Sequence, residues 1–250
     1  MKVYGIQHDI VWEDQAANCH HVSRLLEQAD PEPGSLVVLP EMFASGFTMN
    51  TEAANATETT LDTLAQWSVQ HRVFLLAGVI STNAVDESRN EAVIWNPEGS
   101  RMGGYVKQRG FTMGGESAAY AAGETHVICD WQGRKVAPFI CYDLRFPELF
   151  RPAVADGAEL MVVIASWPDK RIGHWTHLLR ARAIENQCFV IGVNRVGSDP
   201  ALNYNGQSRI FDFHGETLAS AGADEEVMYA DLDFTRQLEY RKKLPFLADM

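Results

Sequence analysis

The sequence contains few cysteines, little positive charge and no long apolar run. Its four cysteines form no C-x-x-C pair, which argues against a disulfide framework and a cysteine-rich zinc site. The 33 acidic residues outnumber the 21 Lys and Arg, and the net charge of −12 argues against nucleic acid as a partner. No apolar stretch approaches the roughly 20 residues that cross a membrane, and the N-terminus has no apolar signal segment. We therefore expect a cytoplasmic protein with reduced thiols that binds neither nucleic acid nor a membrane.

Common catalytic and nucleotide-binding motifs are also missing. The chain has no G-x-S-x-G, H-E-x-x-H or G-x-G-x-x-G sequence and no P-loop. His174 and His177 are three residues apart on a predicted helix, but no carboxylate or thiol is spaced to complete a metal site with them. We expect neither a metal nor an organic cofactor.

What the chain does contain is an alternation of apolar runs and amphipathic segments. The composition, 46% hydrophobic and 22% charged, is typical of a folded domain rather than a disordered chain. The alternation falls into two similar halves, which predicts an α/β fold with two face-to-face sheets and helices on both outer surfaces, in one domain over residues 1–250. The predicted strands cover residues 3–10, 35–39, 73–80, 92–95, 102–106, 136–141, 160–166, 188–194, 208–213 and 225–232. The predicted helices cover residues 18–28, 58–71, 147–156, 174–187 and 235–243.

Three reactive side chains stand at the ends of predicted strands. Glu41 follows residues 37–39 through Pro40, Lys107 follows residues 102–106, and Cys141 ends the apolar run of residues 136–141. Taken singly, these are an ordinary loop glutamate, surface lysine and buried cysteine. Three of them at carboxyl ends of strands, where α/β proteins gather their sites, predict one active site. The turn after the cysteine is expected to begin a helix, whose free N–H groups favour a thiolate.

These motifs resemble the nitrilase (carbon–nitrogen hydrolase) superfamily, whose signature is a Glu-Lys-Cys triad in this order. Glu41 lies in L-P-E-M-F, Lys107 in Y-V-K and Cys141 in I-C-Y-D-L-R-F-P-E. Within the superfamily the chain is most similar to the omega-amidases, on the combination of E-M-F-x-x-G-F with C-Y-D-L-R-F-P. The resemblance implies a four-layer αββα sandwich and a homodimer.

The resemblance also implies a reaction and a set of roles. Cys141 is expected to attack an amide and form a thioester, with Glu41 as general base and acid. Lys107 and the backbone N–H of Tyr142 are expected to bind the oxyanion. Glu116, at the position of the superfamily's second glutamate, is expected to hold the lysine charged or to orient the substrate. The implied substrate is the terminal amide of a small 2-oxo dicarboxylic monoamide, 2-oxoglutaramate or 2-oxosuccinamate.

Recognition of an oxo-acid carboxylate requires a cationic partner, and arginine suits it best. Arg171 lies just after a predicted strand end and is the first choice. Trp167 and Phe47 are expected to form walls of the substrate pocket.

Two other arginines lie close to the triad in the sequence. Arg145 is expected to pair with an internal carboxylate, that of Asp143 or Glu185. Where the omega-amidases usually continue K-x-H-L-F, this chain reads K-Q-R-G-F, so that Arg109 and Gly110 replace His and Leu. This departure makes Arg109 a further substrate-binding residue and leaves the substrate, rather than the chemistry, as the open question.

Two other functions remain open at this stage. The chain is consistent with another amidase of the superfamily, acting on an N-carbamoyl compound or an aliphatic amide. It is also consistent with a binding protein that kept the fold and lost turnover. A substrate panel separates the first alternative, and the alkylation rate of Cys141 against the other three cysteines separates the second.

Overall fold

The computed structural model describes residues 1–249. Its strands are β1 (Lys2–Gln7), β2 (Leu36–Val38), β3 (Phe74–Thr82), β4 (Ser88–Trp95), β5 (Arg101–Val106), β6 (Cys129–Trp131), β7 (Arg134–Ile140), β8 (Leu160–Ala165), β9 (Phe189–Asn194), β10 (Val196–Ser198), β11 (Asn203–Asn205), β12 (Arg209–Phe211), β13 (Thr217–Ser220) and β14 (Glu226–Asp231). Its α-helices are α1 (Gln15–Ala29), α2 (Thr51–Ala54), α3 (Glu58–His71), α4 (Glu116–Ala119), α5 (Phe150–Ala155), α6 (Ile172–Asn186) and α7 (Phe234–Lys243). Short 3₁₀ helices cover Thr112–Gly114, Cys141–Arg145, Pro147–Leu149, Asp169–Arg171 and Phe246–Asp249.

The strands form two six-stranded sheets and one small hairpin. The first sheet has the order β14-β1-β2-β3-β4-β5, and the second has the order β13-β12-β9-β8-β7-β6. The central strands β1, β2 and β3 are parallel, as are β7, β8 and β9. The outer strands of both sheets pair antiparallel. Each sheet therefore has a parallel centre, whose carboxyl edge is available for a site.

The two sheets pack face to face between outer layers of helices. Leu76 of the first sheet lies in the same apolar cluster as Phe139 of the second. On the other face of the first sheet, Leu26 of α1 and Trp67 of α3 pack in a separate cluster with the strands. Helices α5 and α6 cover the second sheet. The predicted αββα arrangement is confirmed.

Some element boundaries differ from the sequence-based prediction. Residues 147–156 form a 3₁₀ turn and the short α5 instead of one helix, because Pro152 has no N–H to continue the helical ladder begun at Pro147. The strand predicted at residues 92–95 begins four residues earlier, at Ser88. The short strands β6, β10, β11 and β13 were not predicted.

Within residues 1–249, none of the helices combines the length and the apolar character that are needed to cross a membrane.

Candidate active site

Glu41 is held between the two sheets by the strand that precedes it and by a glycine in β3. Beyond the end of β2, Leu39 N–H donates to the carbonyl of Leu76 (2.8 Å), so the chain continues alongside β3. Gly78 allows the close approach, because a Cβ at that position would lie 2.6 Å from Glu41 Cα. The Glu41 side chain is fully buried.

Cys141 stands at a sharp turn between β7 and a 3₁₀ helix. Its φ of +46° lies in the left-handed region, which a non-glycine residue adopts only where the surrounding structure enforces it. Asp143 stabilises the turn, because its carboxylate accepts hydrogen bonds from the N–H of Ile140 (3.1 Å) and of Arg109 (2.9 Å). It also accepts the hydroxyl proton of Tyr105 (2.7 Å), and so ties the end of β5 to the cysteine.

A buried polar network connects the predicted catalytic residues. Lys107 Nζ lies 2.8 Å from Glu41 Oε1 and 2.8 Å from both carboxylate oxygens of Glu116. Asn90 Nδ2 donates to the same two carboxylates, at 2.8 and 2.9 Å. The backbone N–H of Ser166, from the second sheet, donates to the other oxygen of Glu41 (2.8 Å). Two carboxylates, one ammonium and one amide are thus brought together out of contact with water.

The electrostatics of this network favour a charged lysine and a neutral thiol. Burial opposes the charge of Lys107, but the carboxylates of Glu41 and Glu116 outweigh it and raise the pKa of the ammonium. Burial and the negative charge of Glu41 raise the pKa of the Cys141 thiol well above its usual range, and Lys107 offsets only part of this rise. This direction fits the expected role of Glu41 as a base, because a neutral thiol has to lose its proton before it can attack.

A pocket opens directly above the Cys141 sulfur. Four of its ten lining residues are aromatic, and Cys141 is a partly exposed residue within it. The Tyr142 N–H lies in the first turn of the 3₁₀ helix, where backbone N–H groups have no acceptor within the helix. Phe47 also contacts the network behind the pocket, with its ring centroid 5.4 Å from Lys107 Nζ. The lining residues are Phe47, Phe111, Cys141, Tyr142, Arg145, Ser166, Trp167, Pro168, Arg171 and Leu202.

Two guanidinium groups face this pocket. Arg145 lies over the indole of Trp167, 4.6 Å from the ring centroid, and donates to Nδ1 of His174 (3.2 Å). Arg171 lies over the ring of Phe111, at 5.6 Å. Burial and the nearby charge of Arg171 lower the pKa of Arg145. Among the described residues, no carboxylate forms an ion pair with either guanidinium.

The expected partners of Arg145 are engaged elsewhere. Glu185 pairs with Arg182 (2.7 Å). Asp143 accepts its three hydrogen bonds from Tyr105 and from backbone groups. The prediction that Arg145 pairs with either carboxylate is wrong, because its side chain turns toward the pocket instead.

The two changed positions after Lys107, Arg109 and Gly110, lie beside the pocket, although Phe111 of the same loop is part of its lining. Arg109 is exposed, its guanidinium lies 5.7 Å from the ring of Phe146, and it is absent from the pocket lining. This position does not support its predicted role in substrate binding. Gly110 lets the loop close on α4, since a Cβ there would lie 2.8 Å from Ser117 Oγ.

The two histidines considered as metal ligands have other contacts. His177 Nδ1 donates to the carbonyl of Gly173 (2.5 Å), while His174 contacts Arg145. Over the described part of the chain, no three His, Cys, Asp or Glu side chains are arranged to hold a metal ion.

Some residues of the site were missed by sequence reasoning. Asn90 and Phe111 contact the network and the pocket, but one sits inside a strand and the other in a loop without a distinctive motif. Ser166 acts through its backbone N–H, which side-chain chemistry does not reveal. The proximity of Arg145 to Cys141 was visible in the sequence, but the direction of its side chain was not.

Comparison with known proteins identifies the family. Residues 3–242 match the family model for carbon-nitrogen hydrolases. The chain belongs to this family. It is therefore a hydrolase that acts on carbon–nitrogen bonds, and the resemblance to the nitrilase superfamily is confirmed.

Three relatives show how close the match is. Omega-amidase YafV of Escherichia coli K12 is 37% identical over 254 residues, covering 100% of this chain and 96% of the relative. The 2-oxoglutaramate amidase of Bacillus subtilis is 31% identical, covering 98% of this chain and 95% of the relative. The crystal structure of XC1258 from Xanthomonas campestris, a CN-hydrolase superfamily protein with an arsenic adduct in its active site, has a TM-score of 0.93 at 31% identity and covers 100% of this chain and 97% of that one.

Proposed function

We propose that this carbon–nitrogen hydrolase is an omega-amidase, which releases ammonia from the terminal amide of 2-oxoglutaramate or 2-oxosuccinamate. The names of the relatives from E. coli and B. subtilis support this substrate class. The observation that carries the proposal is the pair of guanidinium groups at the pocket. Arg145 and Arg171 line it together with Cys141, and neither pairs with a carboxylate in residues 1–249.

A substrate that carries a carboxylate would pair with the two guanidinium groups of the pocket. Two like charges that face one pocket repel each other, and an anion between them removes that repulsion. Guanidinium groups bind carboxylates through paired, charge-assisted hydrogen bonds. The aromatic walls exclude water and so strengthen these contacts. A neutral aliphatic amide would leave both charges without a partner.

The first half of the proposed reaction forms a thioester. Glu41 takes the proton of the Cys141 thiol, and the sulfur attacks the amide carbon to form a C–S bond. The carbonyl oxygen becomes an oxyanion, which Lys107 and the Tyr142 N–H stabilise. As the C–N bond breaks, Glu41 returns the proton to the nitrogen, and ammonia leaves. The raised pKa of the thiol explains why a carboxylate base must lie next to it.

The second half hydrolyses the thioester. Glu41 takes a proton from water, the hydroxyl attacks the thioester carbon, and the C–S bond breaks to release the dicarboxylic oxo acid. The proton then returns to the sulfur. We assign Glu116 to holding Lys107 in place and charged, because both of its oxygens contact Nζ at 2.8 Å. Phe47 and Trp167 are proposed as pocket walls.

Other features of the setting remain proposals. The four cysteines are all free, which supports a reducing, cytoplasmic location. The net charge of −12 supports a small-molecule substrate rather than nucleic acid. The homodimer rests on the resemblance to the superfamily alone.

The test is ammonia release from 2-oxoglutaramate beside glutamine, an N-carbamoyl amino acid and a simple aliphatic amide. We expect release mainly from 2-oxoglutaramate. Cys141→Ala should reduce it below a few per cent of the wild type, because the remaining residues supply no nucleophile, while thermal unfolding stays close to that of the wild type. Residual turnover above that level would remove Cys141 as the nucleophile.

The same panel separates the alternatives. Release from another amide alone would keep the mechanism and change the substrate. No ammonia release from any of the four amides, together with a Cys141 that is alkylated no faster than Cys19, Cys129 and Cys188, would favour a binding protein.

A further inference from the structure

The strand β4 contributes one side chain to the buried network, that of Asn90. It is 1% exposed, and it uses both hydrogens of its amide on the two carboxylates of the network. One N–H donates to Glu41 Oε1 (2.8 Å) and the other to Glu116 Oε1 (2.9 Å). Lys107 contacts the same two oxygens. Asn90 is thus a second bridge between the carboxylates, parallel to the lysine.

The orientation of this amide is fixed by its surroundings. A flipped amide would direct Oδ1 at two carboxylate oxygens, which can only accept hydrogen bonds when ionised. The backbone adds to the constraint, because Lys107 N–H donates to the Asn90 carbonyl across β4 and β5 (2.9 Å). Asn90 and the lysine are therefore held in register with each other.

The acceptor side of the same amide has no partner. Asn90 Oδ1 is buried and forms no hydrogen bond within the part of the chain that is described. An unpaired buried carbonyl is unfavourable, and an apolar side chain of the same shape would avoid that cost. The site therefore uses the two N–H donors of the Asn90 amide and leaves its Oδ1 acceptor unpaired.

From this geometry we propose that Asn90 is a positioning residue of the hydrolytic reaction. It holds the Glu41 carboxylate aimed at Cys141, and it fixes the separation of Glu41 and Glu116 while they share one lysine. The inference rests on the proposed role of Glu41 as the base. Asn90 does not line the substrate pocket, so its effect is on turnover and not on substrate binding.

The test uses Asn90→Leu, which removes both donors, and Asn90→Asp, which keeps the shape and replaces the donors with an acceptor. We expect kcat to fall on the order of 10- to 100-fold in Asn90→Leu, the loss typical of a hydrogen bond to a charged group. KM should stay within about twofold. The Asp variant should lose at least as much, because a third carboxylate then faces the other two.

The split between kcat and KM distinguishes positioning from a loss of packing. A base that is held out of position lowers kcat and leaves substrate binding unchanged, whereas a disturbed core lowers the stability of the protein together with both kinetic constants. Asn186→Leu is the matched control, since Asn186 is equally buried and also has an unpaired Oδ1, but its amide donates within α6 and to Glu185. It should leave kcat within about twofold of the wild type.

Turnover is measured on 2-oxoglutaramate and on p-nitrophenyl acetate, an activated ester without a carboxylate. If the wild type hydrolyses only the ester, the substrate proposal fails, and the ester still tests Asn90. A kcat within twofold of the wild type in the Asn90 variants would overturn the inference, as would a loss expressed only in KM. Should Asn90→Leu not fold, Asn90→Asp decides, since packing alone predicts that an isosteric residue retains kcat.

Discussion

At the scale of single residues, Cys141 combines a partly exposed position in the pocket with a raised pKa of its thiol. Burial and the Glu41 carboxylate both disfavour its thiolate. In the proposed reaction, attack therefore begins with proton transfer to a neighbouring base and does not rely on a standing negative charge. This is why the contacts that place Glu41, from Gly78, Asn90 and Ser166, matter as much as the thiol.

Replacing a pocket arginine should affect substrates according to their charge. Arg171→Ala and Arg145→Ala should each raise KM for 2-oxoglutaramate on the order of 10- to 100-fold, because each removes charge-assisted hydrogen bonds to a carboxylate. KM for a neutral aliphatic amide should change much less. Arg109→Ala is the control, since Arg109 is an exposed arginine outside the pocket lining and should leave both KM values within about twofold.

Steady-state kinetics on the two amides would decide this. Equal increases in KM for the charged and the neutral amide would show that the arginines support the pocket walls rather than bind the carboxylate. A large increase in KM for 2-oxoglutaramate in Arg109→Ala would show that Arg109 binds the substrate after all.

The sequence could predict which reactive residues meet at the candidate site better than which residues surround them. Glu41 and Cys141 follow buried apolar runs and Lys107 follows the more exposed β5, and such strand ends are visible as changes in hydrophobicity. The direction of Arg145 depends instead on how the 3₁₀ helix packs against Trp167, which is a tertiary contact. Asn90 lies between the charged Arg89 and Glu91 at the polar start of β4, where an asparagine is ordinary, and its partners are 26 and 49 positions away in the chain.

At the scale of elements, the approach of the chain after β2 to β3 sets the position of the base. A Cβ at residue 78 would lie 2.6 Å from Glu41 Cα and 2.7 Å from the Pro40 carbonyl, so both backbone segments would have to move. Gly78 in β3 is thus required by a close approach of two backbones.

Gly78→Ala should therefore reduce both stability and activity. Overpacking of this kind typically costs about 1–3 kcal/mol in the free energy of unfolding, and displacement of Glu41 should lower kcat as well. Gly173→Ala is the control, because a Cβ there meets nothing within 4 Å and alanine is favoured in the helix α6. Urea unfolding and ammonia release measure both effects. A Gly78→Ala protein with normal stability and kcat would show that the strands can separate at no cost.

The long strands and helices could be read from periodicity, whereas the short elements could not. The strands β10 and β11 have three residues each, too few for a pattern, and they form because a turn brings them together. The 3₁₀ helix after Cys141 was expected to be an ordinary helix, because both begin with the same abrupt change from apolar to polar residues.

At the scale of the whole molecule, the site depends on both sheets. Ser166 follows β8 in the second sheet and donates to Glu41, which follows β2 in the first. At the same interface, Gln7 of β1 accepts hydrogen bonds from the backbone and the hydroxyl of Ser208 (3.0 and 2.8 Å). The complete buried network around Glu41 can therefore form only after the two sheets have packed together. The homodimer stays a prediction.

The buried His8 should make the folded protein sensitive to acid. It is fully buried, its Nδ1–H donates to the carbonyl of Asp9 (3.1 Å), and its Nε2 has no partner among residues 1–249. Burial, with the nearby His21 and Arg195, lowers the pKa of His8 to about 3. The unfolded chain, with an ordinary pKa near 6.5, therefore binds a proton that the folded chain does not, and stability falls as the pH drops from about 6.5 toward about 3.

Between pH 7 and pH 4.5, this linkage should cost the wild type about 2–3 kcal/mol in the free energy of unfolding. His8→Asn keeps a donor near the position of Nδ1 and does not titrate, so it should lose correspondingly less stability over the same interval. His20→Asn is the control, because His20 is exposed and its replacement should leave the pH dependence unchanged. Urea unfolding at the two pH values measures the difference. An equal loss in the wild type and in His8→Asn would mean that His8 takes up its proton without unfolding, and that the acid sensitivity of the molecule lies in its carboxylates.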